Sequence, residues 1–136
     1  KALLEKQILD LQMKDYILLK PFTSDMESVY LNADIFVMSS HTESMPMVLI
    51  EAASYGLPIV AYDIGTIRDC FHDNGILVKD NDEKAFCKAL STLMENEEKR
   101  IIMGQNGIKL AKDTFSKEQV LKQWLELFQS LTHIKS

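Results

Sequence analysis

Three short runs, Asp34-Ile-Phe-Val-Met38, Pro58-Ile-Val-Ala-Tyr62 and Gly75-Ile-Leu-Val78, are apolar at nearly every position rather than at every second one. A strand with one wet face alternates, whereas a strand apolar throughout is covered on both faces. Helical stretches fall between these runs. The pattern therefore predicts an α/β fold, a parallel sheet with helices on both faces and right-handed crossovers between strands. A further run, Tyr16-Ile-Leu-Leu-Lys20, stopped by Pro21, predicts one more strand ahead of the three.

Punctuation residues mark the helices. Ser24 or Asp25 can cap a helix over Met26–Asn32. Pro46 suits a first helical position, and Gly56 ends that helix about three turns later. Gly65-Thr66 opens a short helix through Phe71. Three longer helices follow, over Asp82–Glu95, Glu97–Asp113 and Ser116–Leu131, the last opened by Ser116-Lys-Glu-Gln119 with the spacing of a capping box. At the other end, Leu3, Leu4, Ile8 and Leu11 share one face of a helix over Lys1–Gln12. No N-cap or lead-in precedes that helix, which reads as a piece of a longer chain.

With 136 residues, 46% of them hydrophobic, the chain suits one domain with a real core. A net charge of −5 without a long Lys/Arg run argues against nucleic acid or anionic lipid as the main partner of this segment. No apolar stretch approaches the length of a membrane span, and the N-terminus lacks a signal-peptide layout. Cys70 and Cys87 stand apart in apolar surroundings, which predicts buried reduced thiols and a cytoplasmic location. His41, His72 and His133 have no ligand spacing, so no metal is expected.

Functional chemistry concentrates in Glu43-Ser-Met-Pro-Met-Val-Leu-Ile-Glu51. Glu43 precedes a helix start. Glu51 lies inside a helix whose neighbours Val48, Leu49, Ile50, Ala52 and Ala53 are all apolar, which predicts an acid in or beside the core that needs a partner. The partner is an Arg, backbone donors or the hydroxyls of a ligand. In parallel sheets, ligands bind beyond the carboxyl ends of the strands. Glu43 follows one such end and Gly65-Thr66 another. The first-turn amides of Met47 and Val48 offer an anion site. A sugar at Glu43, a diphosphate at those amides and a ribose at Glu51 reproduce the order of parts in a nucleotide-sugar.

The stretch from Glu43 to Glu51, continued by Ala-Ala-Ser-Tyr-Gly56-Leu-Pro58-Ile-Val-Ala, resembles the signature of retaining glycosyltransferases of the GT-B fold, family 4 type. Tyr30-Leu-Asn-Ala-Asp34, Asn74-Gly-Ile-Leu-Val78, Asp82 and Met103-Gly104 fit the same series, so the similarity runs from about residue 1 to 131. The resemblance implies the C-terminal, donor-binding half of such an enzyme, Rossmann-like and truncated at its N-terminus. On this likeness residues 1–136 are one partial domain, lacking its first strands and the N-terminal acceptor domain. The family's functional residues carry over as follows. Glu43 would meet donor-sugar hydroxyls at the catalytic centre, and Glu51 the ribose. Ser44, Met45, Met47 and Val48 supply the loop and amides of the donor site, and Phe22 lies near the nucleobase.

The reaction so implied transfers a sugar from a UDP- or GDP-sugar to an acceptor with retention, without metal or cofactor. Partners would be the nucleotide-sugar and a glycan or lipid-linked acceptor held by the N-terminal domain, in polysaccharide assembly and with peripheral membrane association of the parent protein. The chain departs from the family at several places. Ser44 replaces a common Gly, so a positive φ there would be strained. Pro46 donates no amide, and Ile64-Gly-Thr66 is short. The family's diphosphate-binding Arg and Lys have no counterparts, so this chain alone should not turn over. An epimerase or phosphorylase of the same architecture, or a non-catalytic interaction module, are the alternatives. Arg68-Asp69 reads as a surface ion pair, His41 as a solvated loop residue, and Trp124 and Phe128 as a stripe on the last helix.

Overall fold

The computed structural model describes residues 1–132, so His133 lies outside the described residues. Strands β1 (Phe36–Met38), β2 (Ile59–Asp63) and β3 (Gly75–Lys79) form one parallel sheet in that order. The helices are α1 (Ala2–Asp10), α2 (Met26–Leu31), α3 (Met47–Ser54), α4 (Glu83–Glu95), α5 (Glu97–Thr114) and α6 (Lys117–Thr132), with a 3-10 turn over Ile67–Cys70.

The central strand shows why the runs are continuously apolar. Successive side chains of β2 point to opposite faces. Ile59 and Ala61 join Met38, Leu49, Ala53, Ile67 and Cys70 on the α3 side, while Val60 and Tyr62 join Val78, Phe86, Ala89 and Leu93 on the α4 side. Both faces are covered, as expected. Tyr30, Ala52 and Leu57 form a third cluster that seats α2 on α3.

Caps fix the connections. Asp25, Asp82 and Asn96 accept the amides of Ser28, Ala85 and Lys99 at 3.1, 2.9 and 2.8 Å, closing the starts of α2, α4 and α5. Ser116 accepts from the Gln119 amide at 3.4 Å, the side-chain half of the expected capping box. α3 ends in a Schellman motif. Gly56 has φ +75, its amide donates to Ala53 O at 3.0 Å, and that of Leu57 donates to Ala52 O at 3.1 Å.

Between Cys70 and β3, Asn74 is fully buried and ties the turn to itself. Its Oδ1 accepts from the His72 amide at 2.7 Å and its Nδ2 donates to Cys70 O at 3.2 Å. Asn74→Ala should therefore destabilise the fold by about 2 kcal/mol, because a carbonyl and an amide lose their partners in a closed site. Urea unfolding measures it, and an unchanged midpoint would contradict the assignment.

Two expectations are corrected, the strand at Tyr16–Lys20 and the burial of Cys87, and two apolar stripes lie exposed. Tyr16–Lys20 is not a strand: Tyr16 is 81% and Leu18 76% exposed, and among the described residues β1 pairs only with β2. An apolar run becomes a strand only when a neighbouring strand takes up its backbone groups; no strand does so among the described residues, and the Tyr16 and Ile17 amides turn back to Met13 O at 3.0 and 2.9 Å. The first helix buries nothing, and its stripe of Leu3, Leu4 and Leu11 is exposed. The stripe on α6 is exposed as well, with Trp124 and Phe128 stacked at 5.6 Å. Cys70 is buried, which pushes its thiol up, but Cys87 lies on the exposed side of α4; both are free.

Candidate functional site

The connection from β1 to α3 carries Glu43, and the helix it opens carries Glu51. It leaves the carboxyl end of β1 at Met38 and runs over Glu43 to Pro46. A second loop, leaving β2 after Asp63, grips it from the side. Gly65 has φ +53, and a Cβ there would stand 2.3 Å from the Glu43 carbonyl oxygen. Next to it, the Thr66 hydroxyl donates to the Ser44 carbonyl. The short Ile64-Gly-Thr66 turn thus holds the Glu43-Ser44 backbone, a role beyond the opening of a helix that the sequence suggested. Only glycine allows so close an approach with this backbone.

Within the loop Glu43 is half-buried, and Ser44 and Met45 are exposed. Ser44 is not among the described non-glycine residues with positive φ, so the strain expected from replacing glycine does not arise. Pro46 is buried at the N-cap position rather than the first helical position, with φ −74 and ψ 106. No side chain caps α3, and the Leu49 amide donates to Pro46 O at 3.0 Å. Met47 and Val48 are exposed, and their amides belong to the first turn, which has no intrahelical acceptors.

Glu51 corrects the largest local expectation. It is exposed, not buried. Two residues along a helix turn the side chain by roughly 200°, so Glu51 points away from Leu49 and Ala53, which face the sheet. Its partner is none of the groups expected. The Tyr30 hydroxyl donates to Glu51 Oε2 at 2.9 Å. Tyr30 is only 3% exposed and stacks on Tyr55 with centroids 5.2 Å apart. Beside Glu51 opens a largely apolar groove of about 360 Å³ between α3 and α5, bordered by Ile50, Ile108, Lys112 and Phe115.

Burial first, then the hydrogen bond to Glu51 and its charge, push the Tyr30 phenol from 10.0 up to about 12. The fold favours the neutral phenol, so its contribution is complete below about pH 10 and is lost as pH rises through about 12. Tyr30→Phe should therefore flatten the fall in stability over that alkaline window, read by thermal unfolding against pH. Identical slopes for the two proteins would refute it.

Other candidates find definite places. His41 Nδ1 lies 2.7 Å from Asp80 Oδ1 and its ring stacks on Tyr62 at 5.2 Å, tying the loop after β1 to the turn after β3. Arg68 pairs with Asp63, not with its neighbour Asp69; such an exposed pair contributes little. Phe22 is 95% exposed. Among the described residues no group of three or more His, Cys, Asp and Glu could hold a metal ion. Among them, too, no helix is long and apolar enough to cross a membrane.

A family model described as "Glycosyl transferases group 1" matches residues 1–110, across the β1–α3 connection, β2 and β3. The chain belongs to that family. Among its relatives, an uncharacterized glycosyltransferase of Haemophilus influenzae is 31% identical over 117 residues, 84% of this chain and 33% of the relative. D-inositol 3-phosphate glycosyltransferase of Corynebacterium urealyticum is 34% identical over 109 residues, 79% of this chain and 26% of the relative. This group 1 glycosyltransferase chain therefore spans a third or less of the length of these two relatives. Anabaena Alr3699/HepE in complex with UDP superposes with a TM-score of 0.88 at 23% identity, over 95% of this chain and 36% of that one. Sucrose-phosphate synthase from Thermosynechococcus elongatus gives 0.82 at 22% identity, over 97% of this chain and 34% of that one. These likenesses show the fold: the Rossmann-like α/β layer of GT-B glycosyltransferases.

Sequence reasoning missed Tyr30 as a site residue. The tyrosine lay in the matched Tyr30-Leu-Asn-Ala-Asp34 stretch, but its link to Glu51 crosses 21 residues and two helices. No local spacing encodes that contact.

Proposed function

We propose that residues 1–136 are a single partial domain supplying part of the donor site of an enzyme that transfers a sugar from a UDP- or GDP-sugar, with retention at the anomeric carbon. The observation that carries this reading is the β1–α3 connection: two glutamates flank an uncapped helix start at the carboxyl end of a parallel strand. Glu43 accepts from hydroxyls of the donor sugar. The loop at Ser44 and Met45 and the amides of Met47 and Val48 meet the sugar and diphosphate, favoured by the positive end of the helix dipole. Glu51 accepts from the ribose hydroxyls, and Phe22 closes on the base. Solved relatives in this fold were captured with UDP and with UDP-glucose, which supports a nucleotide-sugar as the ligand class.

Front-face attack by the acceptor hydroxyl forms the new glycosidic bond as the bond from the anomeric carbon to the diphosphate oxygen breaks, and the hydroxyl proton passes to the departing diphosphate oxygen. The departing diphosphate gathers negative charge, which helix-end amides and basic side chains elsewhere in the parent protein stabilise. Those groups do the work of charge stabilisation, so the reaction needs no metal or cofactor. The acceptor, a glycan or lipid-linked sugar, binds a separate N-terminal domain. The parent protein works in the cytoplasm, associated peripherally with the membrane where its acceptor is made.

The test uses the complete parent protein with UDP- and GDP-sugars and candidate acceptors, following the anomeric proton of the product by NMR. A new glycoside with the donor's anomeric configuration is the expected result. An inverted product, conversion of the donor without any acceptor, or turnover only with inorganic phosphate would each overturn it, the last two in favour of an epimerase or a phosphorylase.

A further inference from the structure

Glu51 presents a puzzle of order. It is exposed on a side of α3 that faces away from the sheet, and an exposed glutamate samples many rotamers that a ligand must freeze on binding. Yet one of its oxygens is held. The holding group is Tyr30, whose ring is wedged among Ala33, Phe36, Ala52 and Leu57, tilted against Phe36 at 6.3 Å and stacked on Tyr55 at 5.2 Å. The hydroxyl therefore projects from a fixed ring at a fixed point.

We infer that Tyr30 is a positioning residue, which pins Glu51 Oε2 so that Oε1 faces the two ribose hydroxyls of the donor. The inference rests on the assignment of Glu51 to the ribose and deepens it. Chemistry supports the direction of the bond. A diol offers hydrogens, so its partner must be an acceptor, and an ionised carboxylate is acceptor-only. The phenol takes up one oxygen by donating to it, leaving the other as a free acceptor. Burial and the neighbouring carboxylate keep the phenol protonated far above neutral pH, so it donates under all working conditions. Preorganisation of this kind improves affinity by lowering the ordering needed on binding, without adding a contact to the ligand.

The experiment compares UDP with 2′,3′-dideoxy-UDP, or the guanine pair if the wild type binds GDP, on the complete parent protein by calorimetry. Tyr30→Phe retains the ring and removes only the hydroxyl. Its expected signature is a Kd for UDP raised about tenfold, the scale of one hydrogen bond to a charged group, with the dideoxy analogue unchanged within about twofold. In turnover, KM for the donor should rise more than kcat falls, as for binding energy removed from a part remote from the reacting carbon. A double variant, Tyr30→Phe with Glu51→Ala, should bind UDP no more weakly than Glu51→Ala alone. If Tyr30→Phe weakens both nucleotides equally, or neither, Tyr30 is packing and the inference fails. If Glu51→Ala leaves the preference for UDP over its dideoxy analogue intact, the ribose assignment itself fails, whatever Tyr30 does. A collapse of that preference in Glu51→Ala but not in Tyr30→Phe overturns positioning alone.

Discussion

Alanine in place of Glu43 should leave the parent enzyme folded and slow sugar transfer by about two orders of magnitude. Glu43 is half-buried on a loop and no core contact depends on it, so its loss falls on the ligand. A hydrogen bond to a charged group contributes about 1.5–3 kcal/mol, and two hydroxyls on one carboxylate give about a hundredfold or more at tenfold per 1.4 kcal/mol. The loss should appear mainly in kcat, because positive charge developing on the sugar ring at the transition state strengthens the hold of the carboxylate on its hydroxyls beyond that in the ground state. Glu51→Ala should act chiefly on KM, since the ribose is remote from the reacting carbon. It also leaves the buried Tyr30 hydroxyl without its acceptor, so Glu51→Gln is the better control for fold. Steady-state kinetics on both variants decide the matter, and wild-type turnover in both would remove the donor-site assignment.

Valine at Gly104 should destabilise the fold by about 3 kcal/mol, the upper part of the usual range for overpacking. α3 and α5 touch through glycines. A Cβ at Gly104 would lie 2.2 Å from the Gly56 carbonyl oxygen, and one at Gly107 would lie 3.2 Å from Ala53 O. The obstacle at Gly104 is backbone held in a Schellman turn, which cannot rotate out of the way as a side chain would. Any helix-propensity gain over glycine, at most about 1 kcal/mol, is smaller than the clash, and valine brings little of it. Chemical denaturation reads the effect. A Gly104→Val protein as stable as the wild type would mean that the two helices do not meet as closely as described.

Much of this architecture was legible in the chain. The apolar runs at Asp34–Met38, Pro58–Tyr62 and Gly75–Val78 marked the strands observed over Phe36–Met38, Ile59–Asp63 and Gly75–Lys79, because burial on both faces leaves no room for alternation. Asp25 occupies the cap of α2, and Gly56 takes the positive φ that ends α3. Glu43 fell on the strand-to-helix connection and Glu51 in the helix it opens, because strand end and helix start are both punctuated locally. Less legible was Tyr16–Lys20, whose apolar composition is that of a strand but which pairs with no strand among the described residues; the Tyr16 and Ile17 amides turn back to Met13 O instead.

What the sequence determined by itself was periodicity and punctuation: the three strands and most helices, which faces are apolar, and that Glu43 precedes the helix in which Glu51 lies. These depend on neighbours within a turn or two. Tertiary structure alone decided that Glu51 faces outward and meets Tyr30, that Thr66 and Gly65 clamp the Glu43-Ser44 backbone, that Arg68 chooses Asp63 over Asp69, and that His41 reaches Asp80. Each of these joins residues from different elements, so it depends on how helices settle on the sheet. That choice is made by the packing of the whole core, which no local spacing records.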